Sequence, residues 1–491
     1  MNQIRLRYTG FVAYFSSITL ALTGLLFSLL ITRKLTPIEL GVWRYLGTLI
    51  SYFAMPIYLF SFWSTRLTAQ NKYILKTLLT ITIPLAFFIM LIFMAMIEIF
   101  SSSIEYPEVV FLVAAFEIPL IYIYTSLESV ATAWRPHLNY YAQIIQDLIK
   151  LPIALILVVS LKLSLTGAIL ATISGFIARS LFLYVSLQRL NWGGVDKTIA
   201  KKFFALVWLP LYISIPTYIS SLDVIIITLL AKSAYPLGYA TALFLIGGFV
   251  SMSGNLAAGL YPKMLQKPSG KDVESVLSLI MMFVIPTAIG TFILKEQLLN
   301  ILRPEYVAAA SLLPIALLHS VIFILNSIMD STLLGEERVD YKDEIRFKEI
   351  INSKLFFVPT LNYLYSFMYL PSLLIALYII QPKNPLDIVM IWITTNLIAL
   401  FIITAYKYRI ASRKLQFSFP KIPTIKYFLA SIFMGIIVYS ISPRSLPSEL
   451  YKALQSAIPS ILIGSLSYFG MLTLVDKEFR SILKAALKFR K

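Results

Sequence analysis

Several ionisable residues lie inside long apolar stretches of the sequence, where an uncompensated charge is unstable. On membrane-insertion scales, a charged side chain at the centre of a bilayer costs at least about 2.5–3.5 kcal/mol. Such side chains therefore face a counter-charge, a hydrogen-bonding partner or a water-filled cavity. The residues in this setting are Glu117, Glu128, Asp147, Lys150, Arg179, Asp223, His319 and Asp330. The chemistry open to them is the binding of ions, the exchange of protons and mutual pairing.

The acidic residues and the histidine fall at different depths in these stretches. Glu117 and His319 lie deep, where a carboxylate and a neutral histidine could exchange protons or bind a coupling ion. Glu128 and Asp330 lie closer to the predicted inner membrane surface, which favours gate or helix-capping residues. For each of these four side chains, a purely structural pairing stays an alternative to lining a cavity.

The basic residues in the spans are candidates for binding an anion. Lys150 and Arg179 lie within about two helical turns of a predicted membrane boundary, so their long side chains could also extend toward water. Asp147 and Lys150 are three residues apart in the sequence, a spacing that allows an ion pair on one helix. Asp147 is therefore a candidate counter-charge or ion-coupling residue. Asp223, the acidic residue of the seventh predicted span, is a second candidate for the same role.

The apolar stretches are long and numerous enough to define a membrane protein. Of the 491 residues, 58% are hydrophobic and only 13% are charged, whereas soluble domains carry about 25% charged residues. A helix needs about 20 apolar residues to cross the hydrocarbon core. Such spans are predicted at residues 8–32, 42–64, 77–100, 109–134, 142–160, 165–187, 204–230, 238–262, 275–295, 307–334, 355–380, 387–408, 426–441 and 455–475. The sequence thus predicts an all-α polytopic membrane protein of about 14 transmembrane helices, with an uncleaved first span.

The positive charge is placed as expected for a multi-pass protein of the plasma membrane. The formal net charge is +18, and most lysines and arginines fall on one predicted side, which places both termini in the cytoplasm. The main cytoplasmic clusters are residues 189–202, 338–354, 407–426 and 477–491. This placement indicates a role in membrane topology and argues against a nucleic-acid partner.

Cysteine and histidine, the usual ligands of transition metals, are absent or rare in the sequence, and it carries no nucleotide-binding motif. It has no cysteine and only two histidines, His137 and His319, which excludes disulfides and thiolate metal sites. It also has no Gly-rich phosphate loop, so we expect no ATP hydrolysis. We therefore expect neither a metal nor a cofactor. Energy would come from a Na or H gradient, from the membrane potential, or from consumption of the product.

The two halves of the sequence carry a weak internal repeat. Short motifs match at an offset of 197 residues in the first spans, and at an offset of 202 further along. The matched positions are Gly41 with Gly238, Pro84 with Pro286, Glu117 with His319, and Glu128 with Asp330. Because six spans separate the copies, the repeat is parallel, with its axis along the membrane normal.

The repeat predicts two six-helix lobes followed by a helix pair. The lobes comprise residues 1–202 and 203–415, and the second lobe carries a cytoplasmic loop near residues 336–354. Residues 416–491 form the terminal pair and a basic cytoplasmic tail. Parallel two-lobe membrane proteins usually hold their site near the midplane between the lobes, and expose it alternately to each side.

Residues 31–44, Ile-Thr-Arg-Lys-Leu-Thr-Pro-Ile-Glu-Leu-Gly-Val-Trp-Arg, close the first predicted helix and open the second. This segment resembles a hallmark of Wzx-type polysaccharide flippases, in which an arginine precedes a turn with proline and an acid, followed by glycine and an aromatic residue. Residues 164–168, 223–227, 236–239 and 334–338 are similar to further segments of that family. The family is a branch of the multidrug/oligosaccharidyl-lipid/polysaccharide exporter superfamily.

The resemblance implies a function and a site. Its members move polyprenyl- or dolichyl-diphosphate-linked oligosaccharides from the cytoplasmic to the outer leaflet by alternating access, and a cationic cavity grips the diphosphate. Arg33 and Arg44 are the positions that match the family's motif, whereas Lys150 and Arg179 are added from their burial alone. The implied partners are membrane lipid and lipid-linked oligosaccharide. A monomer is compatible with the sequence, which leaves the oligomeric state, the sugar and the carrier lipid open.

Two other functions remain as alternatives. A multidrug or cation antiporter of the same superfamily would usually have twelve spans and bind cations through carboxylates, so fourteen spans with arginine and lysine inside them favour the flippase. A membrane-embedded polysaccharide polymerase or glycosyltransferase would need catalytic acids or bases on a substantial outer loop. Because the longest polar loop, near residues 336–354, is predicted to be cytoplasmic, we expect no enzyme.

Overall fold

The structure of the protein, a computed structural model, covers most of the chain. It describes residues 6–69, 73–188, 194–205, 208–257, 260–266, 268–337, 351–443, 445–477 and 479–480. Parts of three predicted basic clusters, residues 189–202, 338–354 and 477–491, lie outside the described residues, namely 189–193, 338–350, 478 and 481–491.

Fourteen long helical segments run through the described residues. They are α1 Leu6–Lys34, α2 Pro37–Ala69, α3 Leu75–Ala95, α4 Glu108–Trp134, α5 His137–Ser160, α6 Ser164–Leu187, α7 Pro210–Ala231, α8 Tyr235–Ala257, α9 Gly270–Ile293, α10 Pro304–Gly335, α11 Lys354–Ile380, α12 Pro385–Leu415, α13 Lys421–Ile441 and α14 Leu450–Val475. From α2 onward, all thirteen are long and apolar enough to cross a membrane. Short helices Ile97–Ser102, Lys197–Ala205, Leu260–Gln266 and Lys295–Leu302 lie between them. The prediction of an all-α polytopic membrane protein is confirmed.

Several of the long segments are interrupted, and in α4 the cause is visible in the sequence. This segment consists of Glu108–Ala115 and Glu117–Trp134, separated at Phe116. Pro119 lacks the amide hydrogen that would bond to the carbonyl of Ala115, so the helix breaks one turn before the proline. In α7, a similar break at Ser221 separates Trp208–Ser220 from Leu222–Ala231.

The eleventh segment is the opposite case. Pro359 and Pro371 suggest from the sequence that this span is interrupted, yet α11 is one helix from Lys354 to Ile380. Membrane helices tolerate proline where neighbouring groups satisfy the freed carbonyl.

The contacts between Cα atoms divide the chain into two compact units, Met1–Gly238 and Tyr239–Lys491. In the first unit, α4 packs against α2, α3 and α6, while α5 packs against α1 and α6. In the second unit, α10 and α11 pack against α12, while α13 packs against α9 and α14. The lobe boundaries at residues 202 and 415 rest on the repeat rather than on these contacts, and stay a prediction.

Two repeat-related turns pack against each other inside the first unit. A methyl group placed on Gly41 would lie 1.9 Å from the carbonyl oxygen of Ala234, and one placed on Gly238 would lie 1.9 Å from that of Pro37. Ala234 stands at the position that the offset of 197 residues relates to Pro37. The contact is therefore reciprocal, as expected for two copies of one motif related by a two-fold axis, and it supports the repeat.

Candidate functional site

The turn between α1 and α2 carries Arg33 and is fixed by a capping box. The amide and the hydroxyl of Thr36 donate to Glu39 Oε2 at 2.7 and 3.0 Å, and the amide of Glu39 donates to Thr36 Oγ1 at 3.2 Å. These bonds satisfy amide groups that the first helical turn leaves without partners. The hydroxyl of Ser164 donates to Glu39 Oε1, so the same carboxylate ties the turn to the start of α6.

The acid of the flippase-like motif thus has a structural role in this chain. Burial, and then the neighbouring Glu39 carboxylate, raise the pKa of Tyr106 to about 12, so its phenol stays protonated near this turn at neutral pH. Arg33 and Arg44 are both half-buried and flank the turn that Glu39 holds. Glu39 therefore stabilises the turn that lies between the two arginines.

Replacing Glu39 with alanine is expected to lower the free energy of unfolding by about 1–2 kcal/mol, because the cap and the bond to Ser164 are both lost. Equilibrium unfolding of the purified protein in a mixed-detergent titration measures this. Glu108 is the matched control, since it is an exposed acid in the first turn of α4. If Glu108→Ala destabilised the protein equally, the effect would come from the helix dipole rather than from the cap.

The interior of the first unit holds Arg179 in a network with two other helices. Arg179 Nε donates to Glu128 Oε1 on α4 at 2.9 Å, Nη2 also pairs with that oxygen, and Nη1 donates to Gln146 Oε1 on α5 at 2.7 Å. The guanidinium carbon lies 4.3 Å from the ring centre of Tyr124. With Arg179 only 9% exposed, this ion pair ties α4, α5 and α6 together.

A second ion pair lies on α5 itself. Lys150 Nζ is 2.7 Å from Asp147 Oδ1, and the hydroxyl of Thr23 on α1 donates to Asp147 Oδ2 at 2.9 Å. The ammonium lies 4.4 Å from the ring centre of Phe27, within range of a cation–π interaction. The structure thus brings Lys150 and Asp147 together, and couples them to α1.

Glu117 and Asp223 occupy similar places in two interrupted helices. Glu117 begins the second half of α4, and Asp223 lies in the first turn of the second half of α7. The positive end of a helix dipole favours a carboxylate at both positions. Asp223 is buried and accepts a bond from the amide of Val224 at 2.7 Å. Glu117 is half-buried and forms no ion pair with any described residue.

His319 lies in a polar cluster of the second unit. Its Nε2 atom is 2.9 Å from Asn396 Oδ1 on α12, and the hydroxyl of Tyr365 on α11 donates to the same oxygen at 2.9 Å. The His319 ring stacks on Phe323 and tilts against Phe244. Among the described residues, the polar partner of His319 is therefore an amide oxygen, which also accepts a hydrogen bond from the Tyr365 phenol.

Asp330 pairs with a lysine at the end of the twelfth predicted span. Lys407 Nζ lies 2.6 Å from Asp330 Oδ1 and 3.0 Å from the side-chain oxygens of Asn326 and Asn362. The predicted twelfth span ends at residue 408, but α12 continues to Leu415, so Lys407 is two turns inside the helix and fully buried. The sequence analysis placed Lys407 both at the end of the twelfth span and at the start of a basic cluster, and did not predict its burial. The signal available in the sequence for a buried lysine was Asp330, because a carboxylate inside a predicted span needs a partner there.

An apolar cavity of about 390 Å³ lies between α9 and the terminal pair, α13 and α14. Aromatic and aliphatic side chains dominate its lining, among them Phe249, Phe283, Leu294, Met434 and Phe469. Tyr468 also lines it, but its hydroxyl donates to the carbonyl of Met282 at 2.6 Å. Because the lining is mainly apolar, and the hydroxyls of Thr287, Ser465 and Tyr468 donate to backbone carbonyls, the cavity suits a hydrocarbon chain.

Comparison with known proteins identifies the fold. No protein-family model matches the sequence, and no curated protein matches it. A structure of the lipid II flippase MurJ, in an inward closed conformation, matches with a TM-score of 0.66 and 14% identity over 97% of this chain and 99% of that one. An inward-facing multidrug resistance transporter of the MATE family matches with a TM-score of 0.54 and 12% identity over 81% and 96%. The chain therefore shares the fold of these two membrane transporters.

Proposed function

We propose that this protein is a flippase for lipid-linked oligosaccharides, and moves polyprenyl- or dolichyl-diphosphate-linked sugars from the cytoplasmic to the outer leaflet by alternating access. The observation that carries this proposal is the apolar cavity between α9 and the pair α13–α14. A cargo with a long hydrocarbon tail needs such a surface, whereas a small drug cation does not. The likeness to a lipid II flippase covers nearly the whole chain, so it includes most of this helix pair.

The polar end of the cargo is assigned to cationic side chains of the first unit. Arginine presents a planar set of donors that matches phosphate oxygens, and the capping box at Thr36 and Glu39 holds the turn beside Arg33 and Arg44. Lys150 and Arg179 each hold a carboxylate in this structure. To bind them, a diphosphate would displace that carboxylate. Return of the carboxylate to the cation would then favour release of the cargo.

The partners and location follow from the same proposal. The protein would lie in the plasma membrane with both termini in the cytoplasm, the orientation that the lysine and arginine distribution favours. Its partners would be membrane lipid and the lipid-linked oligosaccharide, with coupling to Na or H through groups such as Glu117 and His319. Glu128 and Asp330 would act as gate residues, and each joins two helices of its own unit through an ion pair.

A multidrug or cation antiporter is the second candidate function. The observation that favours it is Glu117, a half-buried carboxylate inside a predicted span that forms no ion pair among the described residues. Such a carboxylate could bind a drug cation or a proton. The MATE transporter fold covers less of the chain than the MurJ fold does, which is why this function ranks second.

Translocation in proteoliposomes tests the proposal. We expect the protein to move a short-chain polyprenyl-diphosphate oligosaccharide between leaflets, measured by its protection from an added glycosidase. We expect Arg33→Ala or Arg44→Ala to slow this movement at least about tenfold, because a hydrogen bond to a charged group contributes about 1.5–3 kcal/mol. Lys383→Ala is the control, since Lys383 is an exposed cation on the loop between α11 and α12.

The outcomes separate the parts of the proposal. Movement that survives both arginine substitutions would keep the flippase and place the diphosphate site elsewhere. If Lys383→Ala slowed movement as strongly as the arginine substitutions, the effect would be one of general surface charge. No movement of any lipid-linked sugar, together with cation-coupled efflux of a drug that Glu117→Gln abolishes, would establish the antiporter instead.

A further inference from the structure

Lys407 is the most completely buried charged side chain of the described residues, with 0% exposure. Its ammonium lies 2.6 Å from Asp330 Oδ1, 3.0 Å from Asn326 Oδ1 and 3.0 Å from Asn362 Oδ1. An ammonium group has three N–H donors and no acceptor. Two amide oxygens accept hydrogen bonds from it and one carboxylate oxygen pairs with its charge, so three helices, α10, α11 and α12, meet at this group.

The three oxygens form a cage suited to a single monovalent cation. One carboxylate and two amide carbonyls are hard oxygen ligands of the kind that alkali and alkaline-earth ions take. Because only Asp330 is charged, one positive charge balances the cage. The distances of 2.6–3.0 Å exceed the roughly 2.0–2.1 Å of magnesium–oxygen bonds. The cage thus matches a large cation such as ammonium or potassium better than a small divalent one.

The related position in the first unit lacks this geometry. Glu128 is the repeat counterpart of Asp330, and it pairs with Arg179 rather than with a lysine. A guanidinium is a flat fork that directs its donors within one plane, whereas an ammonium is a compact point charge. Of these two repeat-related sites, only the one in the second unit therefore has a shape that suits a spherical ion.

The cage is accessible at Asp330. The Asp330 side chain is 24% exposed, although Lys407 is fully enclosed. Asp330 Oδ1 is buried and, within the described part of the chain, has no hydrogen-bond partner besides its ionic contact with the ammonium. Without the lysine, this oxygen would be a buried charge with no counter-ion, on a side chain that is itself partly exposed.

We propose that Lys407 is a tethered cation, whose ammonium permanently occupies a monovalent-cation site formed by Asp330, Asn326 and Asn362. The second unit then needs no free alkali-metal ion at this place, because the chain supplies the charge. Removing the ammonium converts the cage into a site for potassium or for a small alkylammonium ion. This inference does not depend on which cargo the protein moves.

Thermal unfolding of Lys407→Ala in three salts of equal ionic strength tests the proposal. The salts are choline chloride, potassium chloride and n-propylammonium chloride, the last of which supplies the atoms that the substitution removes. We expect the unchanged protein to have one Tm in all three salts. In choline, Lys407→Ala should lose roughly 10 °C, because a buried carboxylate is left unpaired. Potassium and propylammonium should each restore several degrees.

The double variant Lys407→Ala/Asp330→Asn is the matched control. It removes both charges, so we expect a higher Tm in choline than for Lys407→Ala, and no response to potassium or propylammonium. If Lys407→Ala cannot be purified in choline, parallel extraction in the three salts gives the fraction of monodisperse protein, with the same expected order. Equal stability of Lys407→Ala in all three salts would overturn the proposal. So would an equal potassium response in the unchanged protein or the double variant.

Discussion

Gly41→Ala is expected to lower the free energy of unfolding by about 3 kcal/mol or more. This is one of the two largest effects that we expect from a single substitution in this protein. The added methyl carbon would lie 1.9 Å from the carbonyl oxygen of Ala234 and 2.8 Å from its carbonyl carbon. These are backbone atoms, so no flexible side chain can move aside to make room. The start of α2 and the turn before α8 would have to separate.

The same helix provides a control of opposite sign. Gly47 also lies in α2, but nothing is within 4 Å of a methyl group placed there. Because glycine weakens a helix interior, Gly47→Ala should stabilise the protein by about 0.5–1 kcal/mol. Equilibrium unfolding in a mixed-detergent titration measures both variants. If Gly41→Ala matched Gly47→Ala in sign, the close packing of the two turns would be refuted.

The reciprocal contact allows an independent check. Gly238→Ala would place its methyl carbon 1.9 Å from the carbonyl oxygen of Pro37, so its destabilisation should be similar to that of Gly41→Ala. The two substitutions act on one pair of turns, and their effects should therefore be less than additive. Once the turns have separated for the first methyl group, the second adds little.

Arg179→Met is expected to lower the free energy of unfolding by about 3–5 kcal/mol, because it leaves Glu128 as an unpaired charge inside the first unit. The two side chains are only 11% and 18% exposed, so water screens the remaining carboxylate poorly. Gln146 also loses the donor that Arg179 Nη1 provides. Methionine fills a similar length, which keeps the loss of packing small.

The double variant Arg179→Met/Glu128→Gln separates the unpaired charge from the loss of packing. Removing both charges should recover most of the stability, since replacing a whole buried ion pair is often close to neutral. The coupling energy from the double-mutant cycle measures the pair itself. A loss below about 1 kcal/mol for Arg179→Met alone would mean that this pair behaves as a solvent-exposed one.

The sequence was sufficient for the membrane architecture, because hydropathy and span length are local properties. Nearly every predicted span corresponds to a long helical segment, and the eleventh, predicted at residues 355–380, is Lys354–Ile380 in the structure. The capping box was also present as Thr36 and Glu39, three residues apart. Helix boundaries were less accurate. The twelfth span was predicted to end at residue 408 but continues to Leu415, so Lys407 lies about two turns from the helix end and is buried.

The candidate site was predicted only in part. Residue type and burial cost identified Glu128, Arg179 and Asp330 as charges inside spans, and these three residues do take part in buried ion pairs. The sequence also allowed the pairing of Asp147 with Lys150, because both lie on one helix three residues apart. It did not indicate Asn326 or Asn362, since an uncharged amide in a helix gives no signal of its own.

Partner choice between helices was decided by the tertiary structure alone. Helical periodicity tells which residues share a face, but not which distant helix that face meets. Arg179 therefore could not be matched to Glu128, 51 residues away, nor Gly41 to the carbonyl of Ala234. The sequence by itself determined that this chain crosses a membrane many times and carries charges that need partners. Only the packing of the helices decided which atoms satisfy them, because those atoms are brought together by contacts between segments far apart in the chain.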